Sequence, residues 1–225
     1  MYRSIPSTKG MLLLFLVILG SARIQAQDQK AGSWLHVGFE IPAYAGDLNK
    51  YAQFNGAFAM GFRLNHKERL NGQFTFLIGT VKGENRRLDI PPSAIAPNRF
   101  FSTSLIEFSY QVNYHLIKTP NFGLYIGQGI GLLRFDPRDE NDESLSGQPD
   151  TRAEGESYRN ITLMLPTKVG VQYVFDNHFG VGFEAGWHNP LTDYLDNISD
   201  LGTGGSDNIL GFRISLLIPL SYDEL

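Results

Sequence analysis

The sequence predicts an all-β protein, an eight-stranded antiparallel up-and-down transmembrane β-barrel. Three observations carry that expectation. Between residues 34 and 219 the chain falls into eight segments in which apolar and polar or small residues alternate with period two. The connectors between them are alternately long and short, and an apparent export signal precedes them all. A membrane-spanning strand needs only about 9–11 residues, with one face in lipid and the other toward a lumen. A soluble sheet alternates too, but rarely through eight successive segments.

The first 26 residues read as an address. Arg3 and Lys9 make a positive start, residues 11–19 (MLLLFLVIL) are apolar, and Ala26 before Gln27 suits cleavage. The apolar run is too short for roughly 30 Å of hydrocarbon, so a cleaved signal is expected over 1–26 and one barrel domain over 27–225. The chain has no cysteine, which excludes disulfides and cysteine metal sites. Its net charge of −4 argues against nucleic acid as a partner.

The strands follow in order. Strand one (34–44) sets Leu35, Val37, Phe39 and Ile41 against His36, Gly38 and Glu40. Strand two (53–65) places Phe54, Phe58, Met60, Phe62 and Leu64 on one face and Asn55, Ala57, Ala59, Gly61 and Arg63 on the other. Strand three (73–82) carries Phe74, Phe76 and Ile78 on one face. The connector 83–98 contains Pro91-Pro92, which cannot sit in a central ladder. Strand four (102–117) alternates Ile106, Phe108, Tyr110, Val112, Tyr114 and Leu116 with Glu107, Ser109, Gln111, Asn113 and His115. Strand five (122–135) sets Leu124, Ile126, Ile130 and Leu132 against four glycines, the mark of a crowded interior. The acidic connector 136–157 reads as a solvated loop.

Strand six (161–175) opposes Leu163, Leu165, Val169, Val171 and Tyr173 to Lys168, Gly170 and Gln172, and Pro166 within it predicts a bulge or local unpairing. Strand seven (179–187) alternates Phe179, Val181, Phe183, Ala185 and Trp187 with Gly180, Gly182, Glu184 and Gly186. After a long connector (188–207) with Gly202, Gly204 and Gly205, strand eight (208–219) sets Leu210, Phe212, Ile214, Leu216 and Ile218 against Gly211, Arg213 and Ser215. An even count closes with both termini on one side, and closure is obligatory in lipid, where each unpaired edge group costs several kcal/mol. The short turns follow strands two, four and six, so both termini are expected in the periplasm and the long loops outside.

One face gathers Glu40, Glu107 and Glu184 with Arg63, Lys168 and Arg213. Three acids and three bases in a narrow lumen read as a plugging network of mutually paired charges. An ion path or proton relay is the sharper alternative. His36, His115 and His188 stand at inward or strand-end positions without a metal-ligand spacing. Phe74, Tyr114, Phe122, Tyr173 and Phe179 read as an interfacial girdle, with Trp187 near the other rim. The rival class is a lipid-modifying enzyme working through a Ser/His pair. Ser102, Ser104, Ser109, His115 and His188 supply the residue types, but no G-x-S-x-G elbow is present. A lipocalin-like ligand-binding barrel is the third possibility, opposed by the charged opposite face.

The segment GFEAGWHNPLTDYLDNIS (182–199) resembles the signature of the PorG-like outer-membrane β-barrel family, whose seventh-strand region carries an aromatic-rich TDYLDD-type motif. GDLNK, FSTSLIEFSYQVNYHL, LYIGQGIGLLRFDP and LPTKVGVQYVF are similar as well, so the resemblance runs over most of the chain. It implies an eight-stranded barrel of OmpA-like size in the cell outer membrane. It also implies a structural or interaction role, with accessory service in type IX secretion as the known role of one member. Outer-membrane lipid and secretion-machinery proteins are the expected partners of a monomeric barrel without catalytic residues, cofactor or metal. Read from its residues, the motif Thr192, Asp193, Tyr194, Leu195 and Asp196 is a cap-and-turn seating the outer loop on the barrel mouth. A partner-docking surface and a divalent-cation site from its two acids are the other readings.

Overall fold

The structure, a computed structural model, describes residues 32–86, 97–148, 152, 155, 157–199 and 205–222. The expected signal segment, Pro91-Pro92, Gly202 and Gly204 lie outside the described residues. Ten strands make one closed sheet: β1 (Gly32–Ala45), β2 (Lys50–Phe54), β3 (Ala57–Leu64), β4 (Leu70–Glu84), β5 (Phe100–Lys118), β6 (Phe122–Arg138), β7 (Ile161–Met164), β8 (Thr167–Val174), β9 (Gly180–Trp187) and β10 (Asn208–Tyr222). All pairings are antiparallel, and β10 returns to β1 over Gly32↔Tyr222 through Ala45↔Asn208. β2 with β3 forms one stave of the wall, and β7 with β8 another, so the barrel has the eight staves the periodicity predicts.

The two broken staves have local causes. Asn55 and Gly56 interrupt the second stave, where Asn55 N donates to Pro42 O and Thr80 N to Gly56 O. Leu165 and Pro166 interrupt the sixth, because proline has no N–H for the ladder. There the wall is completed by the start of the following loop. Leu165 N donates to Asn189 O at 3.0 Å, Leu191 N donates to Leu163 O at 2.8 Å, and Met164 bridges Pro190. Residues 189–191 thus stand as the partner of β7 although they belong to no strand.

The alternation sorts the side chains as read. Phe39, Phe58, Phe62, Phe76, Phe108, Ile130, Phe183 and Ile214 are exposed on the outside, where lipid replaces water. Glu40, Arg63, Glu107, Lys168, Glu184 and Arg213 are buried inside. The termini and the short turns at 65–69, 119–121 and 175–179 share one end. Trp34, Val174 and Leu217 pack together at that end. At the other end Tyr44, Leu48, Phe101, Leu105, Leu133, Phe135, Leu145, Met164, Leu195, Ile198 and Ile209 form a continuous apolar core. Leu195 and Ile198 come from the last long connector, and Leu145 from the acidic one.

The described first part of the acidic connector, residues 136–148, is therefore folded onto the barrel. β6 runs on to Arg138, Arg138 bridges Ser144, and a 3₁₀ turn (Leu145–Gly147) returns Leu145 to the core.

Candidate functional site: the filled lumen and its stopper

The lumen charges occupy two connected groups between the apolar layers. Glu184 on β9 faces Arg213 on β10, its register neighbour, whose Nε donates to Oε2 at 2.8 Å and whose Nη2 contacts the same oxygen. Arg63 Nη2 lies 3.3 Å from Glu184 Oε1. Arg63 also donates to Gln73 Oε1 at 2.7 Å and Gln172 Oε1 at 2.9 Å, and sits 5.2 Å from the Tyr125 ring centroid. Tyr125 OH donates to Glu184 Oε1 at 2.9 Å. One carboxylate thus collects two guanidinium groups and a phenol, the charge-assisted bonding that a buried anion requires.

The second group lies nearer the apolar core. Lys168 Nζ donates to Glu40 Oε2 at 3.2 Å. His188 stands between two acids, Nδ1 at 2.6 Å from Glu107 Oε2 and Nε2 against Glu40 Oε1. Carboxylate oxygens accept and do not donate, so both ring nitrogens act as donors here. Ser109 Oγ completes Glu107 at 2.8 Å. Arg213 Nε, at 3.8 Å from Glu40 Oε2, links the two groups.

Three acids paired with three bases is thus corrected in one respect. Glu40 meets Lys168, and Glu184 meets both arginines, but the cation at Glu107 is His188. Parity carries a signal for this, since His188 continues the inward series Gly182, Glu184, Gly186 of β9. Geometry leaves little room for anything else: a Cβ on Gly211 would strike Glu40 Oε1 and approach His188 Nε2. The other predicted histidines stand apart. His36 Nε2 donates to Phe74 O at 2.9 Å, and His115 Nδ1 accepts from Asn71 at 3.3 Å.

The motif segment enters the mouth instead of resting on it. Tyr194 is partly buried against the apolar core, but Leu195, Asp196, Asn197 and Ile198 are buried within it. Thr103 Oγ1 donates to Leu195 O, Asn98 Nδ2 to Asp196 O at 2.8 Å, and Tyr158 OH to Asn197 Oδ1 at 2.8 Å. Tyr158 stacks on Tyr194 with centroids 4.5 Å apart. Thr192 contributes its carbonyl, which accepts Asp207 N at 3.0 Å.

Within the motif, Asp196 Oδ1 accepts Ile198 N at 2.9 Å. Its Oδ2 takes Tyr44 OH at 2.6 Å, which uses both carboxylate oxygens within the protein. Tyr44 joins Asp196 to Asp207. Burial pushes the Asp196 carboxyl up from 3.8 to about 7, and burial with the nearby Asp196 charge pushes Asp207 well above the usual range.

The family model for the outer membrane protein beta-barrel domain matches residues 12–207. No curated protein matches the sequence. Among solved structures the chain is similar to Ail, the attachment invasion locus protein of Yersinia pestis, in complex with the heparin analogue sucrose octasulfate. The identity is 12%, with 86% of this chain and 98% of that one covered and a TM-score of 0.49. It is similar to the Neisserial surface protein A at 12% identity, covering 85% and 99%, with a TM-score of 0.48. It is also similar to OprG from Pseudomonas aeruginosa at 12% identity, covering 87% and 97%, with a TM-score of 0.44.

Proposed function

Since the chain belongs to the outer-membrane protein β-barrel family and resides in the outer membrane, we propose that it serves there as a sealed barrel with a structural or interaction role, an accessory of protein secretion of the type IX kind, and not as an enzyme. The observation that carries this reading is the filled interior. Paired charges occupy the lumen, and the segment around Leu195 and Ile198 closes the mouth from within. An eight-stranded barrel is only wide enough for side chains to fill it. Its working surface is then the long-loop end, with both termini periplasmic and secretion-machinery proteins as partners of a monomeric barrel. The secretion role itself rests on the resemblance of the 182–199 segment and its companions to the PorG-like family.

A non-enzymatic role is supported by where the residue types fall. Ser109 serves Glu107 and His188 is held by two acids. The Ser33–His66 contact at 2.9 Å is exposed to solvent on the termini side, away from the filled lumen. The test is a chromosomal deletion with complementation. Secretion cargo should accumulate in the periplasm of the deletion strain and reach the surface again with the wild-type gene. Unchanged cargo at the surface of the deletion strain would refute the secretion role. Crosslinking from the long-loop end that captures no secretion component would refute the partnership.

A further inference from the structure

The stopper is held at its mouth by contacts of two kinds. Thr103, Asn98 and Tyr158 each give one hydrogen to one acceptor on residues 195–197, and none needs to change its protonation to do so. The contact with β1 differs. Tyr44 OH stands 2.6 Å from Asp196 Oδ2 and 3.0 Å from Asp207 Oδ1. The remaining oxygens are already engaged, Asp196 Oδ1 by Ile198 N at 2.9 Å and Asp207 Oδ2 by Leu195 N at 2.7 Å. A phenol has one hydrogen to give. Two ionised carboxylates cannot both be satisfied by it, so the second contact requires a proton on the acid pair. The shorter distance fits Tyr44 donating to Asp196, and the longer one fits Asp207 donating to the phenol oxygen.

We infer that Tyr44, Asp196 and Asp207 form a proton-dependent latch: one proton on the acid pair holds residues 195–198 in the mouth, and its loss loosens them. The surroundings reinforce the requirement. Asp47 from the β1–β2 connection and Asp193 from the stopper itself add negative charge near Asp196. Tyr158 from the acidic connector interacts with Asp196 and with Asp136, and Arg152 stacks over the Tyr158 ring at 4.9 Å. No basic side chain makes an ion pair with Asp196 or Asp207 among the described residues. Burial and mutual repulsion raise both acids, Asp196 to about 7 and Asp207 well above 3.8. The latch is therefore closed on the acid side and opens as pH rises through neutrality. The latch acts on the seal, whatever partner the barrel serves.

The test is hydrogen exchange of the full mature chain folded in micelles, read by mass spectrometry and corrected for intrinsic rates. Between about pH 6 and about pH 9, one released proton permits up to about a tenfold change per pH unit. Protection of the 190–199 amides should fall about tenfold or more over that window, while the β5 amides keep theirs. Asp207→Asn supplies a permanent N–H to the phenol and should hold protection flat with pH. A flat wild-type profile overturns the latch. A slope retained in Asp207→Asn also overturns it and moves the titration to another group, His188 first. Should that variant not fold, infrared spectroscopy of the wild type decides. A protonated carboxylic-acid carbonyl band at about pH 6 that is gone by about pH 9 is expected, and its absence at both overturns the proposal.

Discussion

Glu184 is the side chain on which the lumen depends most, and Glu184→Gln measures that dependence. The carboxylate is 2% exposed and receives Arg213 twice, Arg63 and Tyr125 once each, and Gln73 Nε2 at 3.3 and 3.4 Å from its two oxygens. Neutralising it affects the two arginines unequally. Arg63 keeps Gln73 and Gln172 at 2.7 and 2.9 Å. Among the described residues Arg213 keeps as an anion only Glu40 at 3.8 Å, beyond hydrogen-bond reach, and exchanges a charged acceptor for a neutral amide oxygen, while its Nη1 has no hydrogen-bond partner to begin with. A buried cation left in that state costs about 3–5 kcal/mol. Arg63→Ala should cost less, because Glu184 still holds Arg213 and Tyr125. Pairing Glu184→Gln with Arg213→Met removes both charges and should cost at least about 1 kcal/mol less than the two single losses together. The assay is urea-dependent folding into phospholipid vesicles, followed by the fluorescence of Trp34 and Trp187 and by gel mobility. A loss below about 1 kcal/mol for Glu184→Gln, or strict additivity with Arg213→Met, would refute the network as a unit.

Other expectations follow from the same geometry. Phe108→Arg and Ile214→Arg, at positions 55% and 63% exposed on the lipid face, should each cost about 2–4 kcal/mol in vesicles, whereas Asn141→Arg in the acidic connector should cost almost nothing. Equal losses would mean that the faces are inverted. The mature chain should fractionate with the outer membrane and shift its gel position on boiling; recovery as a soluble monomer without detergent would contradict the barrel. In planar bilayers at about pH 6 the wild type should show no steady large conductance, and a stable porin-sized current would contradict the seal. The contribution of Asp196 and Asp207 to folding stability, read as wild type minus Asp207→Asn, should be greatest in acid and fall as pH rises from about 4 through about 7, because the folded protein retains protons on this pair that the unfolded chain releases. A wild-type-minus-variant difference that grows over that interval would have the wrong sign.

Much of the wall was legible in the sequence because a strand's two faces are written at period two. Phe108 beside Glu107, or Ile214 beside Arg213, declares lipid and lumen directly. Pro166 announced the broken stave for the same elementary reason, a missing N–H. Partner choice was not legible. Glu40 meets Lys168, 128 positions away, and that meeting depends on the stagger between staves that are not sequence neighbours. The parity of His188 was visible, but whether it would face water or two glutamates depended on the same stagger. Nor did the stopper declare itself. Leu195 and Ile198 are two apolar residues in a polar stretch, without the repeat that marks an element, and only the apolar cluster above the charged layer gives them somewhere to go.

The repair of the sixth stave has a practical consequence for anyone trimming this molecule. Surface loops of small barrels are usually the first candidates for shortening, since their removal leaves the wall intact. Here residues 189–191 supply the backbone partners of Leu163 and Leu165, so cutting the loop back to Trp187 would open a raw edge of unpaired N–H and C=O groups toward hydrocarbon. Lipid offers no substitute for those bonds. A minimised version of this barrel would have to keep the first turn after Trp187 or replace Pro166 so that β7 and β8 run as one, and a graft of foreign loops at this position would succeed only downstream of Leu191.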